Sequence, residues 1–377
     1  MQDLFISIDP GFDTMKVVAN GHTFKFPFNV VETDERKMND YNLQDDFLLY
    51  KDEHGITSRV GQYARELIFE RKTDIAEGNQ METFYTEGRF TSGSFIVGIR
   101  TAIALAIRQE GFPSNFNGNI YLMIALPHAC RDRFAPTVIG SAAGSHQFYL
   151  RAGTERERRY SFHIAEQNIF TVSQTIAAIL GETSDDFGRI DREKFFYLSN
   201  GPTLVLDGGY YTMGVVELSK SGSVDDNKTE SDTTHAMRNV NLAVAEKVQA
   251  VRPDVQHYVI EYLLKQNDGK LRYMADGKVA MLDLNLLRSE AMTNVCSDFI
   301  AHLNQKYNNL LDINYVLITG GTGANFYEQI KDYYVGAGIL DSDHLLLSSS
   351  KLGGELHPIE FAITIGAYKG LRGKLRK

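Results

Sequence analysis

The sequence predicts an α/β fold with two related halves, and three observations lead to this prediction. The sequence pattern of a fourteen-residue segment near the N-terminus recurs 198 residues further along the chain. Strand and helix patterns alternate throughout, and a glycine-rich turn late in the chain joins a strand to a helix. The chain has 377 residues, of which 43% are hydrophobic and 23% are charged, so it is long enough for two domains with cores of their own.

The internal repeat aligns residues 6–19 with residues 204–217, and six of the fourteen pairs are identical, including Asp9 with Asp207. Each copy is typical of a β-hairpin, because an aliphatic run ends at Asp-x-Gly and a second run begins about four residues later. Two unrelated hairpins can look alike. An acid at the same strand end in both copies nevertheless favours duplication, in which each half presents a carboxylate at the mouth of its hairpin.

A third glycine-rich turn follows a buried-strand pattern at residues 314–319 and precedes a helix expected over 324–334. A strand, a glycine turn and a helix in this order place backbone N–H groups near an anion or a nucleotide. Such turns also serve as plain connections, so the interpretation depends on the paired hairpins. The residues of this turn are Gly320, Gly321, Thr322 and Gly323.

The segments between these motifs complete the α/β pattern. Strands are expected over residues 120–126 and 161–165, and helices over 92–110, 169–180, 238–251, 283–304 and 358–368. Small residues in two of these helices, at 177–178 and at 366–367, predict a close helix crossing at a hinge between the halves. Polar stretches at 182–192 and 219–231 are expected to be surface connections.

Two carboxylates beside glycine turns suit a nucleoside triphosphate with its Mg²⁺. This ion keeps most of its waters and needs one or two carboxylates plus phosphate oxygens, so Asp9 and Asp207 would hold it, directly or through water. Lys16 would reach phosphate oxygens as a point charge, unless it is a solvated strand lysine. The backbone amides of both turns would bind the phosphates; the residues concerned are Gly11, Phe12, Asp13 and Thr14 in the first turn and Gly208, Gly209 and Thr212 in the second.

Composition excludes several other functions. The formal charge of −9 disfavours a broad grip on nucleic acid, because phosphate backbones are repelled. Two cysteines cannot form a disulfide framework, which favours a reducing compartment. No apolar run has the length of a membrane span, and the N-terminus carries no export signal pattern. We therefore expect a cytoplasmic protein without a membrane partner.

The three motifs together resemble those of the ATPase superfamily that contains actin, the sugar kinases and the heat-shock chaperones. Residues 9–16 resemble its first phosphate loop, 207–212 its second and 320–323 its adenosine motif, in the same order. Within the superfamily the chain looks most like the bacterial ParM-type actins that segregate plasmids. Phe12 departs from the pattern, since many relatives carry Asn or Ser there, and Thr14 is expected to supply the missing hydroxyl.

The resemblance implies duplicated actin-like (ribonuclease-H-like) domains around a central nucleotide cleft. Domain I would comprise residues 1–181 and 356–377, and domain II residues 182–355. The resemblance also implies a hydrolytic carboxylate or amide at the start of the helix before the second phosphate loop. We expect Glu166 to position the attacking water, with Gln167 as second choice, since phosphoryl transfer mainly requires positioning. Alternatively, Glu166 only favours the positive end of a helix.

The expected function is therefore a filament-forming ATPase that binds ATP or GTP with Mg²⁺. Subunits would assemble head to tail, hydrolysis would weaken their contacts, and the filament would move plasmid DNA through an adaptor protein bound to centromere-like DNA. No direct DNA grip is expected. The main alternative is a small-molecule (sugar-type) kinase of the same superfamily, and a third possibility is a regulator that binds ATP without polymerising.

Overall fold

The computed structural model describes residues 2–33, 47–65, 87–199, 201–219, 223–255, 257–265, 269–275 and 277–376. Its strands are β1 (Asp3–Pro10), β2 (Thr14–Ala19), β3 (His22–Pro27), β4 (Val30–Glu32), β5 (Leu48–Asp52), β6 (Thr57–Val60), β7 (Asn119–Leu126), β8 (Gly144–Ala152), β9 (Arg158–Ile164), β10 (Ile169–Ser173), β11 (Thr203–Gly208), β12 (Met213–Leu218), β13 (Glu230–Asp232), β14 (Lys270–Ala275), β15 (Lys278–Asp283), β16 (Tyr315–Thr319), β17 (Leu345–Leu347), β18 (Lys351–Leu352) and β19 (Glu355–Leu356). Its α-helices are α1 (Gly93–Gln109), α2 (His128–Ala142), α3 (Gln174–Thr183), α4 (Arg192–Ser199), α5 (Met237–Gln249), α6 (His257–Lys265), α7 (Leu284–Lys306), α8 (Gly320–Tyr334) and α9 (Ala362–Lys374).

The chain divides into two compact units. Unit 1 is Met1–Phe195 with Ser348–Lys377, and unit 2 is Phe196–Leu347. The segments 182–195 and 348–355, assigned to domain II from the sequence, thus belong to unit 1. They are tied to each other there, because the backbone N–H of Ser349 donates to the Glu182 carboxylate and that of Gly353 donates to Asp186 at 3.0 Å.

The main sheet of unit 1 has the strand order β10-β7-β1-β2-β3. Neighbours β10, β7 and β1 run parallel, whereas β1, β2 and β3 form antiparallel pairs. Side chains of β1 alternate between the faces. Ile6 and Ile8 pack in the main hydrophobic core of the unit, together with Ile99 of α1, and Ser7 donates from the other face to the Thr364 carbonyl of α9 at 2.7 Å. Asp9, two residues after Ser7, therefore projects toward the same face as Ser7.

The main sheet of unit 2 repeats this arrangement in the order β17-β16-β11-β12-β13. Neighbours β17, β16 and β11 run parallel, whereas β11, β12 and β13 form antiparallel pairs. Asp9 lies opposite Lys16, and Asp207 lies opposite Gly214, so the two hairpins have the same register at an offset of 198 residues. The predicted α/β fold with two related halves is confirmed.

Smaller sheets accompany the two main ones. Unit 1 has a second five-stranded sheet of order β4-β6-β5-β8-β9 and the pair β18-β19, and unit 2 has the pair β14-β15. In the part of the chain that the structure describes, no helix combines the length and apolar character needed to cross a membrane.

Helices α3 and α9 cross closely in unit 1. A Cβ atom on Gly366 would lie 1.8 Å from the carbonyl oxygen of Ala177, so only glycine fits at this point. Nearby, the Lys369 ammonium donates to the Gly181 carbonyl at 3.0 Å. The close crossing predicted from the small residues is present, and it fixes the helix whose first residue is Gln174.

One predicted helix begins later than expected. Residues 169–173 form strand β10, and α3 starts at Gln174 after the N-cap residue Ser173, whose hydroxyl accepts the Ile176 N–H at 3.2 Å. Residues 166–168 form a 3₁₀ turn before β10. The mostly apolar run Ile169-Phe170-Thr171-Val172 suits either structure, and pairing with β7 decides in favour of the strand.

Candidate functional site

Asp9 is the penultimate residue of β1, and it is almost fully buried, at 1% exposure. One oxygen, Oδ2, accepts from Lys16 Nζ at 2.7 Å, and the other, Oδ1, accepts from Gln174 Nε2 at 2.7 Å. The Lys16 contact follows from the register, since cross-strand neighbours share a face of the sheet. The Gln174 contact follows from the parallel order of β1, β7 and β10, which brings the start of α3 to the end of β1. Asp9 is thus fixed by a cation and an amide.

The first glycine turn is tied down around Asp13. Its carboxylate accepts from the Arg65 guanidinium at 2.9 Å and from the Thr14 hydroxyl at 3.1 Å. Its carbonyl accepts from the Phe28 N–H at 2.9 Å. The hydroxyl of Thr14, expected to face phosphates, is therefore held by its neighbour.

Glycine is required at position 11 of this turn. A Cβ atom there would lie 2.8 Å from the Thr14 carbonyl oxygen and 3.2 Å from Lys16 Nζ. The Gly11 N–H donates to the Asp9 carbonyl at 3.0 Å, so this amide closes the turn itself. The turn is compact, and Lys16 lies against it with 17% of its side chain exposed.

Glu166 and Gln167 lie away from Asp9. Both are exposed and sit in the 3₁₀ turn before β10, whereas Gln174 follows the other end of that strand. The five residues of β10 span about 17 Å. The expectation that Glu166 begins the helix before the second phosphate loop is wrong, because that helix begins at Gln174. Sequence reasoning missed Gln174, although the Ser173 N-cap signature was readable.

In unit 2 the second and third glycine motifs meet. A Cβ on Gly208 would lie 2.0 Å from the Gly323 nitrogen, and one on Gly320 would lie 2.4 Å from the Gly208 oxygen and 2.9 Å from Asp207 Oδ1. The Thr322 hydroxyl donates to the Gly209 carbonyl at 2.6 Å. Two motifs more than a hundred residues apart therefore form one structure beside Asp207.

The third motif is the first turn of α8, not a loop before it. Gly320 has φ of +77°, a conformation that suits glycine. At Gly321 an added Cβ would meet nothing within 4 Å, so the backbone there has open space. The N-terminus of a fifteen-residue helix attracts negative charge through its N–H groups and its dipole. Beside Asp207 there is thus a place for an anion.

The turn after Asp207 is closed by its own backbone. The Gly209 N–H donates to the Thr212 carbonyl at 2.9 Å, and the Arg238 N–H donates to the Tyr210 carbonyl at 2.8 Å. The register partner of Asp207 is Gly214, where unit 1 has Lys16. The two hairpins thus share a backbone but differ in the charge opposite the aspartate.

No protein-family model and no curated protein matches this sequence. Solved structures do match it. The actin-like protein Alp7A is 15% identical, with a TM-score of 0.69 and coverage of 99% of this chain and 97% of that chain. A ParM described as a non-polymerisable quadruple mutant is 17% identical, with a TM-score of 0.68 and coverage of 97% and 98%. The chain has the actin-like fold.

A third similar structure is an archaeal actin homologue in complex with ADP. It is 13% identical, with a TM-score of 0.62 and coverage of 97% of this chain and 98% of that chain. In the actin-like fold of the present chain, Asp9 and Asp207 occupy equivalent strand ends. Their carboxylates are the hard oxygen ligands that Mg²⁺ prefers. Among the described residues no group of three or more His, Cys, Asp or Glu side chains is placed to hold a metal, and Mg²⁺ bound to phosphate does not need one.

Proposed function

We propose that this actin-like chain binds ATP or GTP with Mg²⁺, hydrolyses it and assembles into filaments. The observation that carries the proposal is the matched register of Asp9 and Asp207, each at the mouth of a glycine turn in an actin-like fold. The ADP complex of an archaeal homologue with this fold supports nucleotide binding.

The two units differ in the groups that each could offer to a nucleotide. In unit 2, the first turn of α8 would present the backbone N–H groups of Gly320 to Gly323 to phosphates and sugar, and the turn of Gly208, Gly209 and Thr212 would lie beside them. In unit 1, the ammonium of Lys16 would contact phosphate oxygens, beside the turn from Gly11 to Thr14. Asp9 in unit 1 and Asp207 in unit 2 are the carboxylates that would hold Mg²⁺, directly or through water, and the ion would neutralise phosphate charge.

Gln174, in place of Glu166, is our choice for positioning the attacking water. Its Nε2 is engaged with Asp9 at 2.7 Å, which fixes the amide plane and leaves Oε1 to accept a hydrogen bond from water. A neutral amide is sufficient because phosphoryl transfer depends on positioning and charge stabilisation. The long helix contact between α3 and α9 keeps this residue in place.

Self-association is proposed on the basis of similar structures. One of them is a 15-stranded ParM filament from Clostridium botulinum, 17% identical, with a TM-score of 0.66 and coverage of 97% of this chain and 98% of that chain. A filament requires a heterologous contact, since a closed two-fold pair cannot extend. We further propose that the filament moves plasmid DNA in the cytoplasm through an adaptor bound to centromere-like DNA, because the charge of −9 disfavours direct DNA contact.

Sedimentation with ATP, GTP, ADP or no nucleotide tests this function. The expected result is pelleting at micromolar protein with a triphosphate, followed by disassembly as phosphate is released. Asp207→Asn keeps the shape of the side chain but removes the charge of a proposed Mg²⁺ ligand, so this variant should neither pellet nor release phosphate. Sugar-stimulated ADP release without pelleting would instead identify a kinase, and nucleotide binding without either would identify a regulator.

A further inference from the structure

Arg89 is a buried cation beneath the first glycine turn. It lies in the 3₁₀ turn Glu87–Thr91 before α1 and is 1% exposed. Its guanidinium carbon is 3.7 Å from the centroid of the Phe12 ring and 4.6 Å from that of the Phe90 ring. Within the described residues, none of its three guanidinium nitrogens has a hydrogen-bond partner. Buried charges are normally paired, so this arrangement calls for a reason.

In the part of the chain that the structure describes, the charged side chains around the first glycine turn do not balance. Asp9 is paired with Lys16 at 2.7 Å, and Asp13 is paired with Arg65 at 2.9 Å. Arg89 is the third cation, and it interacts with the charge of Asp9, which already has a partner. Among the described residues, these two carboxylates and three cations leave one positive charge in excess.

Arg89 carries its charge at neutral pH. Burial lowers the pKa of its guanidinium to about 9, and the negative charge of Asp9 opposes that decrease. The neighbouring thiol of Cys130 is uncharged, because burial raises its pKa to about 11. The excess charge is therefore permanent under ordinary conditions and lies where water screens it poorly.

The second copy of the hairpin uses the equivalent ring differently. Tyr210 aligns with Phe12 at the offset of 198 residues, and its hydroxyl donates to the Glu261 carboxylate. The ring of the first turn covers a cation, whereas the ring of the second turn is tied to an acid. The first turn is thus the one suited to the more negative end of a phosphate chain.

We propose that Arg89 is a specificity-determining residue of the first turn, a fixed buried cation that favours a nucleoside triphosphate over a diphosphate. This inference rests on the proposed function. Arg89 does not touch the nucleotide; its charge acts across the Phe12 ring, and its stacking on that ring positions the turn. Loss of the terminal phosphate removes the negative charge that best offsets this cation, so the turn binds the product less tightly.

The test compares Arg89→Met with Arg89→Lys. The dissociation constants of Mg²⁺-ATP and Mg²⁺-ADP would be measured by displacement of a fluorescent nucleotide, at protein concentrations that show no pelleting. We expect the preference for ATP over ADP to fall about tenfold in Arg89→Met and to be retained in Arg89→Lys. Arg108→Met is the matched control, because it removes a charge at the far end of α1, where Arg108 pairs with Glu155.

The melting temperature distinguishes this proposal from a merely structural role. If the proposal is right, replacing the unpaired buried charge of Arg89 by methionine should leave the melting temperature unchanged or raise it. Parallel weakening of ATP and ADP binding with a lower melting temperature, or an unchanged preference, would overturn the inference. If Arg89→Met does not fold, Arg89→Gln and Arg89→Lys give the same contrast of charge. Failure of the wild-type chain to bind either nucleotide would overturn the proposed function itself.

Discussion

Asp9 and Lys16 face each other across β1 and β2, and the Lys16 ammonium lies 2.7 Å from a carboxylate oxygen of Asp9. The carboxylate is buried, whereas the ammonium is partly exposed. The lysine is therefore the member of the pair that a ligand can reach without displacing the core.

Removing Lys16 should destabilise the folded chain. In Lys16→Met the Asp9 carboxylate keeps its hydrogen bond from Gln174 but loses its ion pair with Lys16, and a buried carboxylate deprived of this ion pair is costly. We expect the free energy of unfolding to fall by about 2–3 kcal/mol, measured by urea denaturation. Adding Asp9→Asn to Lys16→Met should restore part of the loss. A double variant less stable than either single one would contradict the pairing.

Gln174 and Glu166 form a matched pair of substitutions. Gln174→Ala should slow phosphate release at least tenfold while nucleotide still binds, because a positioned water contributes to the rate but not to the affinity. Glu166→Ala should leave the rate unchanged, since Glu166 is exposed at the other end of β10. Single-turnover phosphate release measures both. A slower phosphate release in Glu166→Ala than in Gln174→Ala would instead assign the positioning of the attacking water to Glu166.

Two glycines of the α8 region should respond oppositely to alanine. A Cβ on Gly208 meets the Gly323 nitrogen at 2.0 Å, so Gly208→Ala should cost about 3 kcal/mol of stability. Gly321→Ala meets nothing and should stabilise the helix by about 0.5–1 kcal/mol. Nucleotide affinity should nevertheless fall in Gly321→Ala, because the methyl group occupies the space beside the helix N-terminus. Unchanged affinity would show that phosphate does not approach there.

Removal of Mg²⁺ should reveal the part played by Asp207. Chelation with EDTA is expected to weaken ATP binding by the wild-type chain, because the phosphates then lack the counter-ion that separates them from the Asp207 carboxylate. In Asp207→Asn the affinity for ATP should depend much less on Mg²⁺. Titration of a fluorescent ATP analogue with and without EDTA measures both dependences, and equal Mg²⁺ dependence in the two proteins would remove Asp207 from the metal site.

Acid should destabilise unit 2 at Asp232. Burial alone would raise the pKa of this carboxyl, but hydrogen bonds from His235 and Thr234 outweigh burial and hold it at about 2, below its ordinary 3.8. The stabilisation is therefore complete above pH 4 and is lost as pH falls toward 2. Asp232→Asn should lower the free energy of unfolding by about 2 kcal/mol at pH 6. This difference should be mostly lost at pH 2 and should vanish below it; a difference independent of pH would contradict the assignment.

The repeat could be predicted from sequence because its signal is local. Aliphatic alternation and Asp-x-Gly specify a strand and its turn over a dozen residues, and the structure has the same register at Asp9 and Asp207. Contacts between distant segments could not be predicted in this way. Gln174 meets Asp9 across 165 residues, and its position depended on whether residues 169–173 were strand or helix.

Arg89 shows the other limit of sequence reasoning. An arginine in a polar stretch is normally solvated, and nothing in its neighbours Gly88 and Phe90 indicates burial beneath a ring 77 residues earlier in the chain. The joining of Gly208 to Gly323 was equally hidden, since both were predicted as separate motifs. Sequence supplied the chemical groups here, and packing determined which of them meet.

The contact between Glu182 and Ser349 has a practical consequence for protein engineering. The outgoing and returning segments of the chain touch there, within unit 1, before and after the whole of unit 2. Excising the intervening stretch would leave two ends already held side by side, which a short glycine linker can join. The first half of the duplication, with Asp9, Lys16 and Gln174, would thereby become a candidate for a miniature single-domain protein.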